Sequence, residues 1–359
     1  MLRPSAIWKW DNLVWSDLTA NIRTTTAFNF ITANTDVIYI GLDRRFEGLY
    51  VTLSTAGNYT GLAYAYLDGT TWTDVEEVYD YNFDSLDRYA LWNLPESWSK
   101  EHFISTWPYA DDPPDSVDRY WIRVTASAVT TTATISLLRC IPFAMYTTPT
   151  DVATYLGLSN KDFFSVNSQP LTINDVEEMI RNAEEEIDYT VKKSWRFNVE
   201  EQEEHEFNLS GIKLVHRDII SVYSLEIWDG GSFEEKTSGR QSDFFTVDKL
   251  GMLYFSRYFL LPARIAISGP YGWGWGIGEF TFPMRLFYSW GKDWEKDRQF
   301  RDIKDLATKM VCIKVLDATN YLALIPEGIQ GGMDLNQKVS RWAQDITNKL
   351  DNLRPMMVF

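Results

Sequence analysis

The chain has 359 residues, enough for two or three domains with their own cores, and its 45% hydrophobic against 23% charged composition argues against wholesale disorder. With 34 basic and 50 acidic residues the net charge is −16, which opposes general affinity for nucleic acid, since phosphates demand an excess of Lys and Arg. The two cysteines, Cys140 and Cys312, lie far apart and support neither a disulfide framework nor a cysteine metal site.

The chain starts Met1-Leu2-Arg3-Pro4, without the apolar run of a signal peptide, and no later run reaches the ~20 apolar residues of a membrane span. A soluble protein made in a cytoplasm is therefore expected. Residues 8–146 read as all-β. Leu49, Val51 and Leu53 alternate with Tyr50, Thr52 and Ser54, a period of two that gives a strand one buried face. Tyr64-Ala65-Tyr66-Leu67 runs through Asp68-Gly69 into Thr71-Trp72-Thr73, the signature of a hairpin. Tyr120 to Thr125 alternates again, and a last strand is expected near Ile135-Leu138. Short strands at this spacing predict a β-sandwich over residues 1–147.

The pattern then changes. Thr148-Pro149-Thr150-Asp151 combines an N-cap, a first-turn proline and an acid three residues after the cap, and Gly157 sits where a glycine C-cap belongs. Thr172 opens a longer helix whose Ile173, Val176, Ile180, Ala183, Ile187 and Val191 form one apolar stripe. Strands return over 197–300, with Ser224-Trp228, Phe244-Val247, Leu253-Phe255, and a proposed pair of Ala263-Ile267 with Met284-Tyr288. Pro283 should put that last strand at an edge or limit its start. Helices close the chain, one anchored by Ile303, Leu306, Ala307, Met310 and Ile313, another by Leu335, Val339, Trp342, Ile346, Leu350 and Leu353. The predicted fold is α+β: the sandwich, then a small helical bundle made of 148–196 and 301–359, carrying 197–300 as a β-rich insertion.

No spacing of reactive groups points to catalysis, and no cofactor or metal is expected. His205, in Glu203-Glu204-His205-Glu206, matches no metal motif and reads as part of a solvated acidic turn; His216 reads as a surface or strand-edge residue. The Gly-rich run around Trp273, Trp275 and Ile277 lacks the Lys and Ser/Thr of a phosphate loop. Those side chains either insert into a partner's groove or fold back on the protein's own sheet. Residues 175–206 hold twelve acids against four bases, a net of −8, half the total. Glu184, Glu185 and Glu186 then form a solvated helix face, or a surface facing a basic neighbour or a DNA channel, with Arg301, Lys304, Lys309 and Lys314 supplying the complementary charge on an adjacent subunit. The apolar end, Met356, Met357, Val358 and Phe359, suits docking into another protein.

The run Thr148-Pro149-Thr150-Asp151-Val152-Ala153-Thr154-Tyr155-Leu156-Gly157, followed by Ile180-Arg181-Asn182-Ala183-Glu184-Glu185-Glu186-Ile187-Asp188, resembles the opening of the head–tail connector (adaptor) family of tailed phages. Asp302-Ile303-Lys304-Asp305-Leu306-Ala307 is similar to that family's later helix, and Asp218-Leu225 with Lys249-Leu253 to its β insertion. The N-terminal segments Trp15-Thr19, Phe46-Leu49, Asp68-Thr73 and Arg119-Val124 resemble a β-sandwich domain of phage virion and baseplate proteins. The resemblance implies a non-enzymatic structural protein of the virion. It would assemble with itself into a ring at the phage neck, between the portal protein and a tail or nozzle protein. DNA would pass its acidic lumen without specific binding, and no membrane would be involved. The alternative is a carbohydrate-binding virion or surface module using the aromatic sandwich; a hydrolase has least support.

Overall fold

A computed structural model of the chain describes residues 1–11, 14–69, 71–76, 78–80, 83–84, 87–102, 115, 117–158, 171–206, 211–228, 232–236, 238, 243–255, 283–294, 297–318 and 335–353. The chain divides into two compact units, Met1–Lys192 with Arg298–Phe359, and Lys193–Asp297. The architecture is α+β.

The first unit begins with a sandwich of two antiparallel sheets. One has the order β2 (Val14–Asp17), β1 (Ala6–Asp11), β4 (Val37–Leu42), β10 (Tyr120–Thr131), β6 (Asn58–Asp68) and β7 (Thr71–Asp74). The other has the order β3 (Phe28–Asn29), β11 (Thr134–Pro142), β5 (Phe46–Thr55), β9 (Asp87–Leu91) and β8 (Tyr79–Asp80). Period-two alternation builds the core: Ile7, Ile38, Ile40, Ile122 and Val124 of the first sheet share one cluster with Leu49, Val51, Leu53, Ile135 and Leu138 of the second. Burying each such side chain contributes about 1.5–3 kcal/mol, so apolar burial outweighs the surface ion pairs in holding the sheets together. The expected hairpin forms, with Leu67 opposite Trp72 and Asp68 opposite Thr71. One element breaks the all-β reading. A short helix, α1 (Thr19–Thr24), buries Ile22 and ends at Thr25 in the left-handed region, φ 57°.

The six-stranded sheet is apolar on both faces. Ala6, Trp8, Trp10, Val37, Tyr39, Leu67 and Trp121 alternate with the core residues and make a second cluster, with Trp15 and Trp72 packed at its margin. Aromatic rings thus run across this face, Trp10 to Trp15 at 5.0 Å, Trp15 to Tyr39 at 5.2 Å and Tyr39 to Trp72 at 5.5 Å.

Helices α2 (Pro149–Leu156), α3 (Ile173–Val191), α4 (Phe300–Ala318) and α5 (Leu335–Leu353) complete the unit. α2 starts as its sequence dictates: the Thr148 hydroxyl accepts the Asp151 N–H at 3.0 Å. Its C-cap Gly157 has φ 78°, a conformation that favours glycine. Thr172 and Asp175 form a reciprocal capping box on α3. The α3 stripe is buried from Val176 to Val191, but Ile173, in the first turn, is 42% exposed. α4 is the central helix, packing on α2, α3 and α5. It therefore buries more than one face, Val311, Cys312, Val315 and Leu316 joining the expected stripe. α5 buries Trp342, while Val339, Ile346, Leu350 and Leu353 are half-buried.

Sandwich and helices were expected as separate domains; they lie in one compact unit. Buried polar bonds described below join them.

The second unit holds two antiparallel sheets. β12 (Asn198–Glu206), β18 (Pro283–Trp290), β14 (Ile219–Trp228) and β15 (Phe233–Glu235) form one; β13 (Ile212–Lys213), β17 (Met252–Phe255) and β16 (Phe244–Val247) the other. Leu225, Ile227, Met284, Leu286 and Tyr288 share a core with Ile212, Phe244, Leu253 and Phe255. β18 lies between β12 and β14, so Pro283 limits the start of an internal strand and needs no edge. Its expected partner, 263–267, lies outside the described residues. No helix among the described residues is long and apolar enough to cross a membrane.

Candidate functional site

The acidic residues of α3 separate by helical phase. Glu177 and Glu184 lie on the side turned toward the protein, and both are buried. Glu177 pairs with Arg45, which follows β4 in the sandwich. Burial holds the Glu177 carboxyl above its usual range, although the Arg45 charge and hydrogen bond pull it down. The Glu184 Oε1 accepts the backbone N–H of Met145 at 2.7 Å and of Tyr146 at 2.5 Å, while the Tyr146 hydroxyl bonds Asp188. Arg181 donates to Glu47 at 2.9 Å and to the Phe143 carbonyl at 3.0 Å. Arg45 and Arg181 also both approach the Phe143 ring, at 5.7 and 5.4 Å.

The expectation of an acidic surface at Glu184, Glu185 and Glu186 therefore needs correcting. Glu184 is an internal clamp on the strand-to-helix connection, because its place one turn along from Ile180 sets it inside the protein. Only Glu185 and Glu186 are exposed. Even these have neighbours in the same chain, Arg181 at 3.3 Å and Lys314 at 3.5 Å. The bases reserved for an adjacent subunit are likewise engaged internally: Lys304 with Asp151 at 2.9 Å, and Lys309 with Asp305 at 2.7 Å and with Asp345. Arg301 remains exposed. What α3 presents outward is Glu178, Asn182, Glu185, Glu186 and Tyr189, the last 76% exposed with Lys192 Nζ 3.7 Å from its ring centre.

The acids from Glu200 to Glu206 belong to β12 in the second unit, so the cluster is split between a helix and a strand. His205 lies on that strand, which corrects the reading of a solvated turn. Alternation turns Glu203 inward, where its carboxylate accepts the Val215 N–H at 2.9 Å and also bonds His205 and the Tyr288 hydroxyl. Burial and then Glu203 raise the Tyr288 phenol. His216 is no ordinary surface residue. Its ring stacks on Trp290 at 3.8 Å and 4°, with Glu200 at 3.4 Å, and burial lowers its pKa against the pull of the acids. This assembly is a hydrogen-bonded support for the sheet. Among the described residues no group of three or more His, Cys, Asp and Glu could hold a metal ion.

An open cleft of about 430 Å³ lies beside β1 and α1 in the sandwich, lined among others by Trp8, Asp17, Thr19, Arg23, Asp115 and Arg119. Sequence reasoning missed it, because its walls come from three separate stretches of chain. The aromatic richness of β1 was the one available signal. Asp115 is its organiser: Oδ1 accepts the Val117 N–H at 3.1 Å and bonds Arg119, and Oδ2 accepts Trp8 Nε1 at 3.2 Å.

Trp273, Trp275, Ile277, Met356, Met357 and Phe359 lie outside the described residues. No family model matches the chain, and a search of curated proteins finds no match.

Proposed function

We propose that this chain is a structural adaptor of a tailed-phage virion, assembling with itself into a ring at the head–tail junction and holding portal and tail proteins together. The observation that carries the reading is the bundle of α2, α3, α4 and α5. Helices on either side of residues 193–297 in sequence pack together, the order that the connector resemblance implies. Two surfaces of this bundle suit assembly. α5 leaves an apolar stripe half-buried, and α3 turns Glu178, Asn182, Glu185, Glu186 and Tyr189 outward, with Arg181 and Lys314 beside the two middle acids. The chain's net charge of −16, rather than any one helix face, would oppose adhesion of a passing duplex.

Native mass spectrometry and negative-stain electron microscopy of the full chain test the proposal. A closed ring of one stoichiometry, alone or on addition of a tailed-phage portal protein, is the expected result. A chain that stays monomeric under both conditions refutes it.

A further inference from the structure

We propose that the cleft beside β1 and α1 binds an acidic saccharide, a sugar ring carrying a carboxylate. This goes beyond the adaptor reading and does not depend on it. The volume of about 430 Å³ lies in the range of small-molecule sites. Its lining is chemically selective. Among the described residues no aliphatic side chain larger than alanine lines it; hydroxyls, carboxylates, guanidiniums and an indole do. Sugar hydroxyls both donate and accept, and they pair well with such walls. A peptide would want apolar pockets for its side chains or a strand edge to pair with.

The charged groups are set for a carboxylate. Arg119 is held through Nη1, which bonds Asp115 and lies 3.4 Å from the Val117 carbonyl. Its Nε–H and Nη2–H donors have no acceptor among the described residues. The guanidinium also lies 5.6 Å from the centre of the Trp121 ring. Arg23, which also lines the cleft, is exposed and makes no ion pair among the described residues. Two guanidiniums, one of them preorganised, match the planar geometry of a carboxylate. Asp17 uses Oδ1 to accept the Thr19 N–H at 2.8 Å, which leaves Oδ2 to accept a sugar hydroxyl. Trp8, its indole held by Asp115 and otherwise buried in the aromatic cluster, closes the floor of the cleft.

Saturation-transfer NMR and titration calorimetry on the full chain provide the test, with glucuronic acid and N-acetylneuraminic acid as probes. Glucose, galactose, inorganic phosphate and a short peptide with a free C-terminal carboxylate serve as comparisons. One or both acidic sugars should bind, and Arg23→Ala should weaken that binding about tenfold without changing thermal unfolding. Arg119→Lys, which keeps the charge but loses the planar fork, should weaken it as well. Equal binding of the neutral sugars, binding of the phosphate or peptide alone, unchanged affinity in Arg23→Ala, or no binding by any probe each overturns the proposal.

Discussion

Glu184→Ala separates an internal clamp from an acidic surface. The wild-type carboxylate is fully buried and accepts two backbone N–H groups, at 2.7 and 2.5 Å. Truncation leaves both donors buried without that acceptor, at about 1–3 kcal/mol each, so a loss of about 4 kcal/mol is expected. At roughly 2–3 °C per kcal/mol, the melting temperature should fall by about 10 °C. Glu184→Gln keeps an acceptor oxygen but loses charge assistance, and it should recover about half of the loss. Glu185→Ala and Glu186→Ala, on the exposed side of the same helix, should each stay within about 0.5 kcal/mol of wild type. Calorimetry and urea unfolding of the four variants read these differences directly. A Glu184→Ala protein as stable as the wild type, or a Glu185→Ala protein equally damaged, would refute the division of α3 into a clamping side and a surface side.

Arg45→Met should cost about 3–5 kcal/mol by stranding the buried Glu177 charge. Because burial raises the folded carboxyl above its ordinary 4.5, that group's contribution is fully present below 4.5 and is lost as pH rises through the folded value. The variant should thus be more destabilised near pH 8 than near pH 5 in urea titrations at the two values. Asp36, Asp151 and Asp305 behave oppositely: burial raises each, but bonds from Lys9 and Thr32, from Lys304 and Thr148, and from Lys309 and Lys349 outweigh it and hold the carboxyls low. Their contribution is present above 3.8 and fades as pH falls through the lowered values, which acid unfolding followed by near-ultraviolet circular dichroism should show. Gly291 has φ 141°, and a Cβ there would lie 1.9 Å from the Arg196 carbonyl oxygen. Gly291→Ala should destabilise the second unit by more than 1 kcal/mol on the order of other strained-backbone substitutions, read by hydrogen exchange of residues 198–206 and 283–290.

Much of the fold was legible because it follows from local rules. Thr148, Pro149, Asp151 and Gly157 mark both ends of α2 through groups within a few residues of each other, and the Asp68-Gly69 turn sets its own hairpin. Alternation likewise identified the strands, and spacing by three and four the helix stripes. Local pattern could not say which acids face inward. Glu177, Glu184, Glu185 and Glu186 have the same chemistry in the sequence; only the positions of Arg45, Met145 and Tyr146 in three dimensions make two of them internal. The same holds for β12, where Glu203 differs from its neighbours solely because Val215, His205 and Tyr288 meet it.

The cleft was equally hidden, since Trp8, Arg23 and Arg119 are brought together by pairing and packing between distant segments. Periodicity and capping are short-range physics and were present in the order of the amino acids. The environment of a charge depends on what the rest of the chain places beside it, and that was decided by the tertiary structure alone.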